Sequence, residues 1–252
     1  SETVGGLNAR EMQAKPVKAY FLWDLEPEFD LANPAMAVTA LASAQTVVAV
    51  STFASDALKS CADVILPLAA MLESEGLFYT YDGQSYTAEP AVCAAGQSKP
   101  GWKILRRLGA ELELEGFSQV DITTLRKEMF AEISGANYPM AEVELPTPTT
   151  GTGLYRVGEV GMYAVDGMCR RSEYLQRTVH ADNAFVGLNP DDAECRGLVD
   201  GNEAKVSQGG GFSMLPVRIC AELPAGAVWL INATTAGSTL GDSFGSISVE
   251  PA

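Results

Sequence analysis

The stretch Thr46–Val50 (TVVAV) is a short β-branched, apolar run typical of a buried strand, and it decides the interpretation of the first half of the chain. Helices are predicted on either side, over Ala35–Ser43 and Ser55–Cys61, and two further strands over Val17–Trp23 and Val64–Leu66. Because strand and helix alternate, we expect the strands to pair in parallel through right-handed crossovers. With only three strands, this predicted sheet is incomplete.

Residues 77–133 are predicted to contain one strand, a tight turn and two helices. Leu77–Tyr81 is predicted as an aromatic strand, and Asp82–Gly83 as a tight turn. Trp102–Gly109 is predicted as a helix that ends with Gly109 in a left-handed C-cap. A second helix is expected from Asp121 to about Ile133.

The last third contains short strands separated by glycine turns. Strands are predicted over Ala204–Ser207, Leu215–Cys220 and Val228–Ile231, and Gly209–Gly211 is interpreted as a plain turn because it lacks the Lys-Ser/Thr of a phosphate-binding loop. This spacing is typical of a small β-barrel or sandwich.

The predicted fold class is therefore α/β plus β. An incomplete parallel α/β sheet domain is expected over residues 1–115, and a small β-barrel over residues 154–252. Residues 116–153 are expected to form a helix and a linker, because residues 146–153 read PTPTTGTG.

Charge narrows the classes of partner. The chain of 252 residues has 17 basic and 32 acidic side chains, which gives a net charge of −15. Such a surface repels phosphate backbones and anionic lipid headgroups, so we expect neither nucleic-acid binding nor direct membrane insertion. The apolar runs fall far short of the ~20 residues that a membrane-spanning helix needs.

The sequence assigns no catalytic, cofactor-binding or metal-binding residue. No C-x-x-C motif occurs and His180 is the only histidine, which argues against a local zinc or iron–sulfur site. Glu73 and Glu75 are interpreted as residues that solvate a turn, one of them accepting backbone amides. The cysteines are expected to be reduced and are Cys61, Cys93, Cys169, Cys195 and Cys220.

Arg170, Arg171 and Arg177 form the one basic cluster of this acidic sequence. Together with Glu173 and Tyr174, they have the chemistry to dock a carboxylate-rich partner through bidentate pairing. The alternative is a solvated face with weak local ion pairs. The sequence leaves both interpretations open.

Several motifs resemble the molybdopterin oxidoreductase family. Residues 62–67 (ADVILP) and 73–84 (ESEGLFYTYDGQ) are similar to that family's A-D-V-x-L-P strand and the E-x-x-G-T-x-x-N-x-E-G-R segment after it. Residues 188–193 (LNPDDA) and 197–202 (GLVDGN) are similar to its C-terminal barrel. The resemblance implies that the barrel has a double-psi topology.

One branch of the family fits best. Residues 99–109 (KPGWKILRRLG) and 162–172 (MYAVDGMCRRS) resemble the large iron–sulfur subunit of bacterial respiratory complex I, an NADH:quinone oxidoreductase. This resemblance implies a C-terminal part of that subunit, peripheral on the cytoplasmic side of the bacterial inner membrane. It implies no cofactor in this part, iron–sulfur clusters in the portion upstream, and the other peripheral-arm subunits as partners.

The leading hypothesis is thus a non-catalytic structural module. The loop from Tyr163 to Arg171 lacks the His- and Thr-rich residues with which active members seat the pterin dinucleotide, and Asp166 would bring negative charge towards that anionic cofactor. The alternative is the C-terminal part of an active molybdopterin-dependent oxidoreductase such as a formate dehydrogenase. A stand-alone binding module is disfavoured, because an incomplete sheet exposes an edge through which the isolated chain is expected to self-associate.

Overall fold

The computed structural model describes residues 6–80, 84–133, 153–181 and 184–252, except for the side chains of residues 131–133. The chain divides into two compact units: the first comprises residues 1–49, 53–65 and 149–252, and the second comprises residues 50–52 and 66–148. The turn predicted at Asp82–Gly83 and residues 146–152 of the linker predicted over residues 146–153 lie outside the described residues. The domain boundaries at residues 115 and 153 stay predictions.

The parallel α/β sheet predicted from the sequence is confirmed. Its three strands lie in the order β1-β2-β3. Both connecting helices begin where a side chain caps the first turn, since Asn33 accepts a hydrogen bond from the Met36 amide and Ser55 from the Leu58 amide. The elements of this part are α1 (Ala9–Ala14), β1 (Ala19–Trp23), α2 (Pro34–Ala42), β2 (Thr46–Ser51), α3 (Asp56–Cys61) and β3 (Val64–Pro67).

A small apolar core holds the sheet and its helices together. Leu22 on β1, Leu41 on α2, Val47 and Ala49 on β2, and Leu58 on α3 are buried against one another. Each fully buried Leu or Val contributes roughly 1.5–3 kcal/mol of transfer free energy. Strands β1 and β2 and helices α2 and α3 therefore each contribute at least one apolar side chain to a common core.

The second unit contains an antiparallel hairpin and two longer helices. Strand β4 (Gly76–Tyr79) pairs with β5 (Ser85–Ala88), and helices α4 (Gly101–Glu111) and α5 (Ile122–Ile133) follow. Strand β4 lies within the predicted aromatic strand apart from its first residue. Helix α5 begins after Asp121, whose carboxylate accepts a hydrogen bond from the Thr124 amide.

The prediction for Gly109 was wrong. Gly109 lies inside α4, and the left-handed residue after the helix is Glu113, with φ 54°. A Cβ atom at Gly109 would lie 2.2 Å from Cγ of Phe117. Glycine stands there because the Phe117 ring packs directly on the helix backbone, and this close approach carries no local sequence signal.

The predicted β-barrel is confirmed as a closed barrel of six strands in the order β10-β6-β11-β8-β9-β7. Neighbouring strands are parallel in the pairs β10–β6 and β7–β9 and antiparallel in the other four pairs. The elements from residue 153 onwards are β6 (Leu154–Val157), α6 (Gly167–Arg171), α7 (Glu173–Gln176), β7 (Val186–Leu188), α8 (Pro190–Glu194), β8 (Glu203–Gln208), β9 (Gly211–Ile219), β10 (Ala227–Trp229) and β11 (Phe244–Pro251).

The barrel encloses its own apolar core. Alternate residues of each strand point inwards, as in β8, where Ala204 and Val206 are fully buried. The turn predicted at Gly209–Gly211 is confirmed, with Gly209 and Gly210 at φ 61° and 87° between β8 and β9. Within the described residues, no helix combines the length and the apolar character needed to cross a bilayer.

Candidate functional site

A cavity of about 470 Å³ lies in the first unit. Five alanines and the Phe29 ring make up the apolar part of its wall, and the polar part consists of Arg170, Arg171, Gln176, Thr234 and Thr235. Two guanidinium groups in a wall that consists mostly of small side chains single this cavity out as the candidate site.

Local sequence places the two arginines. The Asp166 carboxylate accepts a hydrogen bond from the Cys169 amide at 2.7 Å and so caps α6. The short helix then carries Arg170 and Arg171 in its last turn, where positive charge complements the helix dipole. Nη1 of Arg170 also donates to the Ala164 carbonyl at 2.8 Å, which fixes the direction of that side chain.

Glu26 forms ion pairs with the guanidinium groups of both Arg170 and Arg171, although it lies 144 residues before Arg170 in the sequence. Its Oε2 accepts from Nη2 of Arg170 at 2.7 Å and from Nη1 of Arg171 at 2.9 Å, and its Oε1 accepts from Nη2 of Arg171 at 2.5 Å. Oδ1 of Asp30 accepts from Nη2 of Arg170 at 2.8 Å. We call these four side chains the arginine–carboxylate cluster; Glu26 is only 3% exposed.

The segment from Asp24 to Asp30 holds its carboxylates in place through its own hydrogen bonds. The Glu26 amide donates to Oδ2 of Asp30 at 2.6 Å, and the Glu26 carbonyl accepts from the amides of Phe29 and Asp30. Pro27 is fully buried beside it. The segment follows directly on β1, at the carboxyl end of a parallel strand, where open α/β folds hold functional groups.

Gly167 allows the two parts of the cluster to approach. A Cβ atom there would lie 2.8 Å from the Phe53 ring and 3.1 Å from Oε2 of Glu26. The Phe53 ring in turn lies over the Arg171 guanidinium, 4.3 Å from ring centroid to Cζ. A side chain at this first position of α6 would push against both the carboxylate and its aromatic cover.

The two arginines of the cluster keep the Glu26 carboxylate ionised at neutral pH. Burial on its own would raise the pKa of Glu26, but the hydrogen bonds and charges of Arg171 and Arg170 outweigh it and hold that pKa below its usual range. The hydrogen bond to Glu26 in turn raises the pKa of Arg171. Two cations and two anions therefore face one another, and their formal charges cancel.

A third arginine lies inside the barrel. Arg156 on β6 is fully buried, and burial lowers its pKa to about 10. Its guanidinium donates to the Leu230 carbonyl at 3.3 Å, to Oε1 of Gln208 at 3.0 Å and to Oδ1 of Asn232 at 2.6 Å. A fourth bond runs to the Asp242 carbonyl at 3.5 Å. All four acceptors are neutral, so hydrogen bonds rather than an ion pair hold this charge.

The structure separates the basic cluster that the sequence singled out. Arg170 and Arg171 turn towards Glu26, whereas Arg177 forms an ion pair with Glu173 in which both side chains are about 70% exposed. The solvated-face interpretation therefore describes Arg177, and neither interpretation anticipated the internal pairing of the other two. Docking of a partner on this face stays a prediction.

The other residues considered from the sequence lie away from this cavity's wall. Glu73 accepts from the Ala70 amide at 3.0 Å and Glu75 from Nε1 of Trp102 at 2.9 Å, both in the second unit. His180 is exposed. The five cysteines are free thiols, and the described part of the chain contains no group of three or more His, Cys, Asp or Glu side chains arranged to hold a metal ion.

Comparison with protein-family models gives a match over the α/β part. Residues 3–111 match the molybdopterin oxidoreductase family model. The matched residues include the segment that carries Glu26 and Asp30, whereas Arg170 and Arg171 lie beyond them.

The fold as a whole is similar to that of acetylene hydratase from Pelobacter acetylenicus. The match has a TM-score of 0.61 and 16% sequence identity, and it covers 93% of this chain and 44% of that one. At this identity the likeness shows the fold alone, and the chain spans less than half the length of that structure. Comparison with curated proteins gives no match.

The cavity does not offer the donors that an anionic pterin dinucleotide would need. The guanidinium groups of Arg170 and Arg171 are already bonded to carboxylates. Nε2 of Gln176 donates to the Tyr163 and Cys169 carbonyls. Most of the remaining wall consists of alanine side chains, which offer no hydrogen-bond donors.

Proposed function

We propose that this chain is a non-catalytic structural module in the peripheral arm of a bacterial NADH:quinone oxidoreductase, as the C-terminal part of its large iron–sulfur subunit. The arginine–carboxylate cluster carries this proposal. A cavity whose guanidinium groups are bonded to the chain's own carboxylates suits a rigid support better than a site that must bind and release ligands.

The sequence motifs support the choice of this branch. Residues 99–109 and 162–172 resemble the respiratory subunit, and the loop from Tyr163 to Arg171 lacks the His- and Thr-rich residues of active pterin enzymes. In this proposal, electrons pass from NADH through iron–sulfur clusters in the upstream portion of the subunit. The chain contacts other peripheral-arm subunits on the cytoplasmic side of the membrane, without nucleic acid and without inserting into the bilayer. The two parallel pairs within the barrel support a double-psi topology.

The experiment is a metal and pterin analysis of the purified parent complex. We expect iron, only traces of molybdenum or tungsten, and no extractable pterin. A formate dehydrogenase processed in parallel is the control, because it shows that pterin survives the extraction. Stoichiometric molybdenum or tungsten together with pterin would refute the proposal.

The second candidate is the C-terminal part of an active molybdopterin-dependent oxidoreductase such as a formate dehydrogenase. Two observations favour it: the family match over residues 3–111 and the likeness to acetylene hydratase, a protein named for an enzymatic activity. The same analysis separates the two candidates, because only this one requires a pterin in the parent protein.

The isolated chain is also proposed to self-associate through β1, which lies at the edge of the sheet. Phe21 and Trp23 project from one face of this strand and are 50% and 37% exposed. An unpaired edge that carries exposed aromatic rings favours strand pairing with a second molecule. Sedimentation that shows a strict monomer at high protein concentration would contradict this.

A further inference from the structure

We propose that Glu26 is a built-in anion: its carboxylate occupies the position in which the Arg170–Arg171 pair would otherwise bind a phosphate or pyrophosphate group. The cavity is thus a latent anion site that the chain closes with its own side chain. The inference concerns this cavity alone and holds whether or not the chain belongs to a respiratory complex.

The geometry of the cluster is that of anion recognition. Two guanidinium groups direct their N–H donors at the two oxygens of a single carboxylate that is 3% exposed. Arginine pairs bind phosphate groups through the same forked, charge-assisted hydrogen bonds. The carboxylate of Glu26 therefore takes the contacts that an anionic ligand would make.

Two further polar side chains of the wall already donate to groups of the chain itself. Gln176 uses its amide donors on backbone carbonyls, and the Thr234 hydroxyl donates to the Ile231 carbonyl. Asp30 adds a second negative charge beside Arg170. With the local charges cancelled, an incoming anion gains no net attraction and would have to displace a buried ion pair.

The test is a titration with inorganic pyrophosphate, followed by calorimetry and by the NMR resonances of the Arg170 and Arg171 Nε–H groups. Wild-type protein is expected to show no shift of these resonances. Glu26→Gln keeps the side-chain shape and removes the charge, and we expect it to bind pyrophosphate with a Kd of about 1 mM or lower, at least tenfold tighter than wild type.

Two variants control for charge and site. Glu173→Gln changes the net charge by the same amount at the exposed Arg177 pair, and it should bind no better than wild type. Adding Arg171→Gln to Glu26→Gln should abolish the gained binding, because one arm of the arginine pair is lost.

The proposal can still be tested if Glu26→Gln fails to fold. A ligand that binds only the folded state stabilises it, so pyrophosphate should then raise the Tm of this variant but not that of Glu173→Gln. Three results would overturn the inference. The first is a shift of the Arg170 and Arg171 Nε–H resonances when pyrophosphate is added to wild-type protein. The second is a folded Glu26→Gln variant that binds pyrophosphate no better than Glu173→Gln, and the third is an unfolded Glu26→Gln variant that pyrophosphate does not stabilise. None of these results depends on the pterin content of the parent complex. The latent anion site and the proposed function can therefore be refuted independently of each other.

Discussion

The first unit binds the guanidinium groups of its arginines in two ways, with neutral acceptors at Arg156 and with carboxylates at Arg170 and Arg171. Arg156 is fully buried and is held by four neutral acceptors on β8 and on the segment between β10 and β11. Arg170 and Arg171 are held by the carboxylates of Glu26 and Asp30, which come from the segment after β1. Burial lowers the pKa of Arg156, whereas the hydrogen bond to the Glu26 carboxylate raises the pKa of Arg171. The comparison indicates that Arg156 organises the barrel, while the cluster fastens the barrel to the α/β part.

Replacing Arg156 is expected to have the largest effect. Arg156→Met would leave the acceptors of Gln208, Leu230 and Asn232 without their donor, and each orphaned buried acceptor costs about 1–3 kcal/mol. We expect the free energy of unfolding to fall by about 4 kcal/mol in urea titrations. Arg156→Lys, which keeps three N–H donors, should recover part of the loss. A loss of stability within error of zero would show that the neutral acceptors do not depend on this guanidinium.

Glu26→Gln is the matching change at the carboxylate site. It breaks a buried ion pair and leaves two guanidinium groups with one fewer anion, so the free energy of unfolding should fall by about 3 kcal/mol. Glu173→Gln removes the same charge at an exposed position and serves as the control. Equal losses in the two variants would mean that burial of the Glu26 carboxylate contributes nothing.

The two sites should also differ in their response to acid. The pKa of Glu26 is held below its ordinary value of 4.5, so its stabilising contribution is complete above that pH and is lost as the pH falls towards the pKa of the folded state. The stability difference between wild type and Glu26→Gln should therefore narrow as the pH falls below 4.5. The difference between wild type and Arg156→Met should not narrow in that range, because the acceptors of Arg156 do not titrate. Unfolding titrations at several pH values measure both differences.

The smallest effect is expected at the exposed pair. Arg177→Gln removes an ion pair whose side chains are 71% and 68% exposed, and such pairs contribute at most about 0.5 kcal/mol in double-mutant cycles. Urea titrations should place this variant within that range of wild type. A loss comparable to that of Glu26→Gln would show that Arg177 has a second partner in the protein.

Sequence reasoning succeeded where one segment contains its own signal. The helices on either side of β2 and the glycine turn after Gln208 depend on signals within a few residues, and all three are predicted from the sequence. The same reasoning missed β6, β7 and β11, because these strands are short or contain glycine or a buried arginine, as in LYRV and VGL. Their place in the barrel follows from pairing with distant strands.

Three features of the molecule follow from local sequence alone: the alternation of strand and helix, the change to short strands near residue 154 and the acidic charge of the surface. The three-dimensional fold, by contrast, sets the pairing of Arg170 and Arg171, because their partner Glu26 lies 144 residues from Arg170. It also decided that Gly109 and Gly167 are glycines because a ring or a carboxylate approaches them. These cases share one cause: local conformational preferences act over a few residues, whereas ion pairs and packing depend only on distance in space.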